Sequence, residues 1–132
     1  MKLEPAIPVL RVFDHELAKK YYVGWLGFAL DWEHPFDGKG PRYMQVSRSG
    51  LTLHLSEHYG DSTPGSRVFV NTDDVLSLHR ELQSRPNPNM NPGVGHAPWN
   101  ALCMEVIDPF GNRLSFNQPL DENRTGTASS CG

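Results

Sequence analysis

The sequence predicts an α+β fold made of two βαβββ modules, and three observations carry that prediction. Short runs rich in β-branched and aromatic residues recur along the chain, separated by Gly, Pro, Asn and Asp. Two stretches place apolar residues at helical spacing, each behind an aspartate able to cap it. The order of these elements then repeats. The interval from Ile7 to Asp14 recurs between Arg67 and Asp74, and the interval from Ile7 to His54 recurs, one residue longer, between Arg67 and Ser115.

The first module spans about residues 6–58. Ala6 to Val12 is a β-branched run in which Pro8 marks an edge strand or one that crosses to a partner. Asp14 caps a helix of about three turns carrying Leu17, Ala18, Tyr21, Tyr22 and Trp25, broken by Gly24 and Gly27. Strands follow at Phe28 to Glu33, Arg42 to Ser47 and Leu51 to Ser56, the last two joined by the turn Arg48-Ser49-Gly50. Tyr59 to Ser66 is made of turn-forming residues and reads as a connector.

The second module spans about 66–118. Arg67 to Asn71 is a strand, and Asp73 or Asp74 caps a helix bearing Val75, Leu78 and Leu82 that ends at Arg85-Pro86. Pro86 to Trp99 is rich in proline, so a strand there must be short and irregular. Ala101 to Asp108 and Asn112 to Gln118 form a closing hairpin around Asp108-Pro109-Phe110-Gly111, with Gly111 supplying the positive φ of the turn. Alternation places Leu114 and Phe116 on one face and Arg113, Ser115 and Asn117 on the other. Residues 1–118 are expected to form a single domain and 119–132 a flexible polar tail.

Composition excludes several classes. Twelve basic residues against fifteen acidic ones give a net charge of −3 with no basic cluster, which disfavours nucleic acid or an anionic membrane as partner. No apolar run has the length of a membrane span, and Met1-Lys2-Leu3-Glu4-Pro5 lacks a signal-peptide core, so a cytoplasmic location is expected. Of the two cysteines, Cys103 reads as a core residue and Cys131 lies in the tail, so no disulfide framework or cysteine metal cluster is expected.

Four segments, Ile7 to Asp14, Leu26-Gly27-Phe28, Leu53 to Ser56 and Asp108 to Phe116, resemble the vicinal oxygen chelate superfamily of glyoxalases, dioxygenases and bleomycin resistance proteins, and the last group most closely. The resemblance covers about residues 5 to 118. It implies a cup-shaped mixed sheet with helices on its outer face, usually completed in a homodimer. In the metal-dependent branches, His or Gln opens each module and Glu or His sits on each closing strand. Matched by motif, those positions fall on Ile7, His54, Arg67 and Ser115, of which His54 alone is a metal-ligand type. The resemblance therefore implies a binder with no cofactor and no metal.

The candidate ligand-binding residues are Trp32, Phe36, Tyr43, His54, Arg67, Trp99 and Ser115. His54 shares a strand face with Thr52 and Ser56, and either contacts a ligand or bonds a neighbouring side chain. His54 and His58 are about 13 Å apart along a strand, too far to share an ion. Arg67 either receives a carboxylate or phosphate or pairs with an internal acid such as Glu105. Trp32, Phe36, Tyr43 and Trp99 form an aromatic set suited to flat rings, with core packing or loop anchoring as the competing reading for the tryptophans. The tyrosines and tryptophan of the first helix read as core.

The function expected is non-catalytic sequestration of a small, bleomycin-like molecule by a homodimer. The alternative is an enzyme of the same superfamily, lyase- or isomerase-like, either metal-free with His54 as acid or base or using a metal held in part by Glu105 or Glu57. A third possibility is a dimeric scaffold whose sheet face is filled by its own side chains.

Overall fold

The computed structural model describes residues 1–35, 38–85, 87 and 89–120. Among the described residues eight strands form two four-stranded mixed sheets accompanied by helices, an α+β fold of paired βαβββ modules. The chain divides into two compact units: Met1–Ser66 with Asp108–Asn112, and Arg67–Ile107 with Arg113–Gly132.

In the first unit, strands β1 (Val9–Arg11), β2 (Ala29–His34), β3 (Tyr43–Arg48) and β4 (Leu51–Ser56) are ordered β1-β4-β3-β2. β1 runs parallel to β4 with Val9 opposite His54, and the Pro8 carbonyl, which proline retains, accepts from His54 N at 2.9 Å. Ser49 and Gly50 both take positive φ in the β3–β4 turn, as a tight hairpin requires. Alternation sends Met44, Val46, Leu53 and Leu55 to a fully buried face, where each side chain contributes about 1.5–3 kcal/mol.

Helix α1 (His15–Lys19) begins at Asp14, whose carboxylate accepts from the backbone N of Glu16 and Leu17. It does not continue as a regular helix. Lys20–Trp25 widens into a π-helical turn, closed by Leu26 N donating to the Tyr21 carbonyl at 2.9 Å. Gly24 lies inside this turn rather than ending it, and Gly27, at φ 79°, follows its C-cap Leu26. The widened turn turns Tyr21, Tyr22 and Trp25 all inward, so the three aromatics are core, as their spacing predicts.

Tyr22 donates its hydroxyl to Asp108 at 2.7 Å. The Asp108 carboxylate also accepts from Phe110 N, Asn112 N and Asn112 Nδ2, and that Asn112 amide donates to the Arg11 carbonyl at 2.7 Å. The tight turn that the sequence assigns to the second module thus belongs by its packing to the first.

In the second unit, β5 (Arg67–Asn71), β6 (Val94–Ala97), β7 (Ala101–Ile107) and β8 (Arg113–Pro119) are ordered β5-β8-β7-β6, the same topology. Phe69 stands opposite Ser115, as Val9 stands opposite His54, and Glu105 opposite Ser115 as Gln45 opposite His54. The register thus supports the internal repeat read from spacing. Helix α2 (Val75–Ser84), capped by Asp74 through Ser77 N, packs on β6, β7 and β8. Met104, Val106, Leu114 and Phe116 repeat the buried face of the first unit. Cys103, also buried, is disulfide-bonded, which corrects the expectation of a plain core thiol; Cys131 lies outside the described residues.

Candidate functional site

Each sheet turns its apolar face into the core and leaves a polar and aromatic face open. On the first sheet that face carries Trp32, Tyr43 and His54. Trp32 and Tyr43 stack, with ring centroids 5.9 Å apart and planes 10° from parallel, and the His54 ring meets both edgewise. Trp32 is 43% exposed, so it is not core.

His54 is held at both nitrogens. Tyr43 Oη lies 2.7 Å from Nδ1 and Gln45 Oε1 2.9 Å from Nε2. Because an amide oxygen only accepts, Nε2 carries the proton and the tyrosine hydroxyl donates to Nδ1. Desolvation lowers the His54 pKa, which keeps this neutral tautomer at pH 7. Desolvation also raises the Tyr43 pKa, so the phenol remains a donor.

The chain continues through Gln45 Nε2, which donates to Asp31 Oδ2 at 3.1 Å, while Ser47 Oγ donates to Oδ1 at 3.0 Å. These bonds hold the Asp31 carboxyl below its ordinary pKa. Asp31 reaches them because β2 is bulged: Leu30 pairs with Val46 and Trp32 with Gln45, leaving Asp31 as the extra residue. Without the bulge, Asp31 and Trp32 would point to opposite faces.

On the second sheet a concave site of about 310 Å3 is lined by Arg67, Phe69, Trp99, Glu105, Ser115 and Asn117, among others. Within this lining Ser115 links two charged residues, accepting from Arg67 Nε and donating to Glu105 Oε2, both at 2.8 Å. Glu105 also pairs with Arg113 at 3.2 Å. Trp99 Nε1 donates to Asn117 Oδ1 at 2.6 Å, which anchors the indole while half of it stays exposed. Its ring lies 6.5 Å from that of Phe69, itself 54% exposed.

Of the seven residues singled out from sequence, Trp32, Tyr43 and His54 come together on the first sheet, and Arg67, Trp99 and Ser115 on the second. Phe36 lies outside the described residues. Sequence reasoning placed Asn117 on the Ser115 face without naming it among the candidate contacts, and it missed Phe69, Gln45 and Asp31 as members of these faces. Strand alternation from Arg67 reaches Phe69 two residues on, and that signal was available. Asp31 was not accessible this way, because the bulge breaks the alternation.

The metal set of the superfamily's enzymes does not fit these residues. Ile7 offers no donor atom, both His54 nitrogens are engaged, Arg67 is cationic, and the Ser115 hydroxyl is tied between Arg67 and Glu105. Glu57, the other acid considered, is structural: it accepts from His15 N and Arg42 N, both at 2.8 Å. Among the described residues no three His, Cys, Asp or Glu side chains are grouped to hold an ion. No helix among them is long and apolar enough to cross a membrane.

Two βαβββ units, each with a buried apolar face and a polar and aromatic face, define the class of fold. The chain belongs to the glyoxalase superfamily: the family model described as "Glyoxalase superfamily protein" matches residues 1–123. TnmS3, an antibiotic-binding protein from Streptomyces sp. CB03234, is similar at 30% identity and a TM-score of 0.69, over 91% of this chain and 99% of that one. A glyoxalase/bleomycin resistance protein from the same source is also 30% identical, with a TM-score of 0.62 over 86% and 100%. A bleomycin-binding protein solved with bleomycin shares the fold at 24% identity, with a TM-score of 0.65 over 89% and 100%. No curated protein matches the chain significantly.

Proposed function

We propose that the protein binds and sequesters a small, flat aromatic molecule, as an antibiotic resistance protein of the bleomycin-binding type does, and leaves it chemically unchanged. The observation that carries this reading is the pair Phe69 and Trp99, two half-exposed rings beside a concave site whose polar floor is already hydrogen-bonded. Exposed rings of this kind gain from stacking against a flat ligand. A floor of satisfied groups orients a ligand without supplying a free acid, base or nucleophile. The volume, about 310 Å3, lies at the low end of the range of about 300–1,000 Å3 for small-molecule sites.

The stacked Trp32 and Tyr43 offer a second aromatic surface of the same type. Its neutral, fully bonded His54 supports binding over acid–base work, since neither ring nitrogen is free to exchange a proton with a substrate. We infer that the ligand-contact residues are Trp32, Tyr43, His54, Arg67, Trp99 and Ser115, with Phe69 added, and that the working form is a homodimer.

Tryptophan fluorescence titrated with a panel of flat aromatic antibiotics, bleomycin included, tests the reading. Saturable quenching, weakened in Phe69→Ala, and recovery of the unaltered compound by chromatography are expected. No binding by any member at tens of micromolar, or conversion of a bound compound, overturns it. Sedimentation at the same concentrations is expected to give a dimer.

A further inference from the structure

Resting on the reading of the second sheet as a binding face, we propose that its ligand carries an oxyanion, a carboxylate or sulfonate on an aromatic ring, and that Arg67 receives it. The geometry divides the Arg67 guanidinium into two sides. Its Nε is committed inward, donating to Ser115 Oγ at 2.8 Å and lying 3.4 Å from Glu105 Oε2. Its two terminal nitrogens have no bonded partner among the described residues, and the side chain is half exposed at the rim of the concave site. A planar fork held by one nitrogen and open at the other two is preorganised for a bidentate oxyanion.

Glu105 does not cancel this. Both its oxygens are taken, Oε1 by Arg113 and Oε2 by Ser115 and Arg67. Two guanidiniums against one carboxylate leave one positive charge over in the cluster. Phe69 and Trp99 stand on the same lining, so a ring stacked against them presents a substituent to Arg67. The chain's acidic balance suits a cation, but the charge at this site has the opposite sign.

Three probes of one shape separate the inference from the reading beneath it: naphthalene-2-carboxylate, naphthalene-2-carboxamide and 2-naphthylmethylammonium, titrated calorimetrically into the full chain. The carboxylate is expected to bind about five- to tenfold more tightly than the amide, with the ammonium weakest, because hydrogen bonds to a charged group exceed neutral ones by about that factor. Arg67→Gln is expected to remove the advantage of the carboxylate over the amide. Equal binding of all three probes, or a carboxylate preference that survives Arg67→Gln, overturns the oxyanion inference and leaves the aromatic site standing. Binding by none of them overturns both. If Arg67→Gln does not fold, the ranking of the three probes on the unaltered protein decides.

Discussion

Replacing Tyr22 with phenylalanine removes one oxygen from the interior of the first unit and nothing else. The Tyr22 ring is fully buried, and its hydroxyl donates at 2.7 Å to Asp108, which is itself buried. Burial first, and then the Asp108 carboxylate, push the Tyr22 pKa well up, so the hydroxyl is a permanent donor. A hydrogen bond to a charged group contributes about 1.5–3 kcal/mol. Asp108 keeps three donors from Phe110 and Asn112 in the variant, and ring volume is nearly conserved, so the lower part of that range applies, about 1.5–2 kcal/mol. At about 2.1 cal/mol/K per residue, 132 residues give an unfolding entropy near 0.28 kcal/mol/K, and Tm should fall by about 5–7 °C. Urea unfolding and calorimetry read both quantities. Tyr21→Phe is the control, since the Tyr21 hydroxyl is equally buried but has no hydrogen-bond partner among the described residues. It should not destabilise the protein, and because it removes a buried unsatisfied hydroxyl it is expected to raise stability by up to about 1–3 kcal/mol. A Tyr22→Phe cost below about 0.5 kcal/mol, or equal costs for the two variants, would refute the claim that this bond ties down the 108–112 turn.

Three further outcomes follow from the described geometry. The folded pKa of His54 lies below its unfolded value near 6.5, so the unfolded state binds the extra proton: its stabilising contribution is intact above about pH 6.5 and declines as pH falls toward the lowered value. Unfolding free energies measured from pH 7.5 to 5 should show that acid-side loss, and His54→Gln should lack it. Glu57→Ala strands the His15 and Arg42 backbone N–H groups and should cost about 1–3 kcal/mol, read by urea midpoint with the m-value unchanged. Dialysis against a chelator should leave Tm unmoved, because the superfamily's metal positions hold Ile7, Arg67 and Ser115; a fall of several degrees restored by a divalent ion would overturn that ligand reading.

Most of the architecture was legible because it follows from period and punctuation. β4 and β5 fall on the predicted boundaries, Asp14 and Asp74 cap as expected, and the repeat inferred from spacing reappears as matched register. What escaped were departures from the ideal repeats. The π turn at Lys20–Trp25 adds a residue to a helical period, and the bulge at Asp31 adds one to a strand period. Neither leaves a compositional mark. The candidate site was legible in part for a related reason: residue type drew attention to His54, Arg67 and Trp99, whereas Gln45 and Asn117 join these faces through the partners they bond.

The two sheets keep nearly the same buried residues, Met44 with Met104, Val46 with Val106 and Leu53 with Leu114, while their open faces differ at every matched position discussed, Gln45 against Glu105 and His54 against Ser115. Mutational risk is therefore sorted by strand parity. Even and odd positions of one strand answer to different demands, so substitutions at Phe69, Glu105 and Ser115 change the polar and aromatic face and leave Met104, Val106, Leu114 and Phe116 in place. The same strand order in both sheets gives the chain two such faces, each backed by its own buried residues.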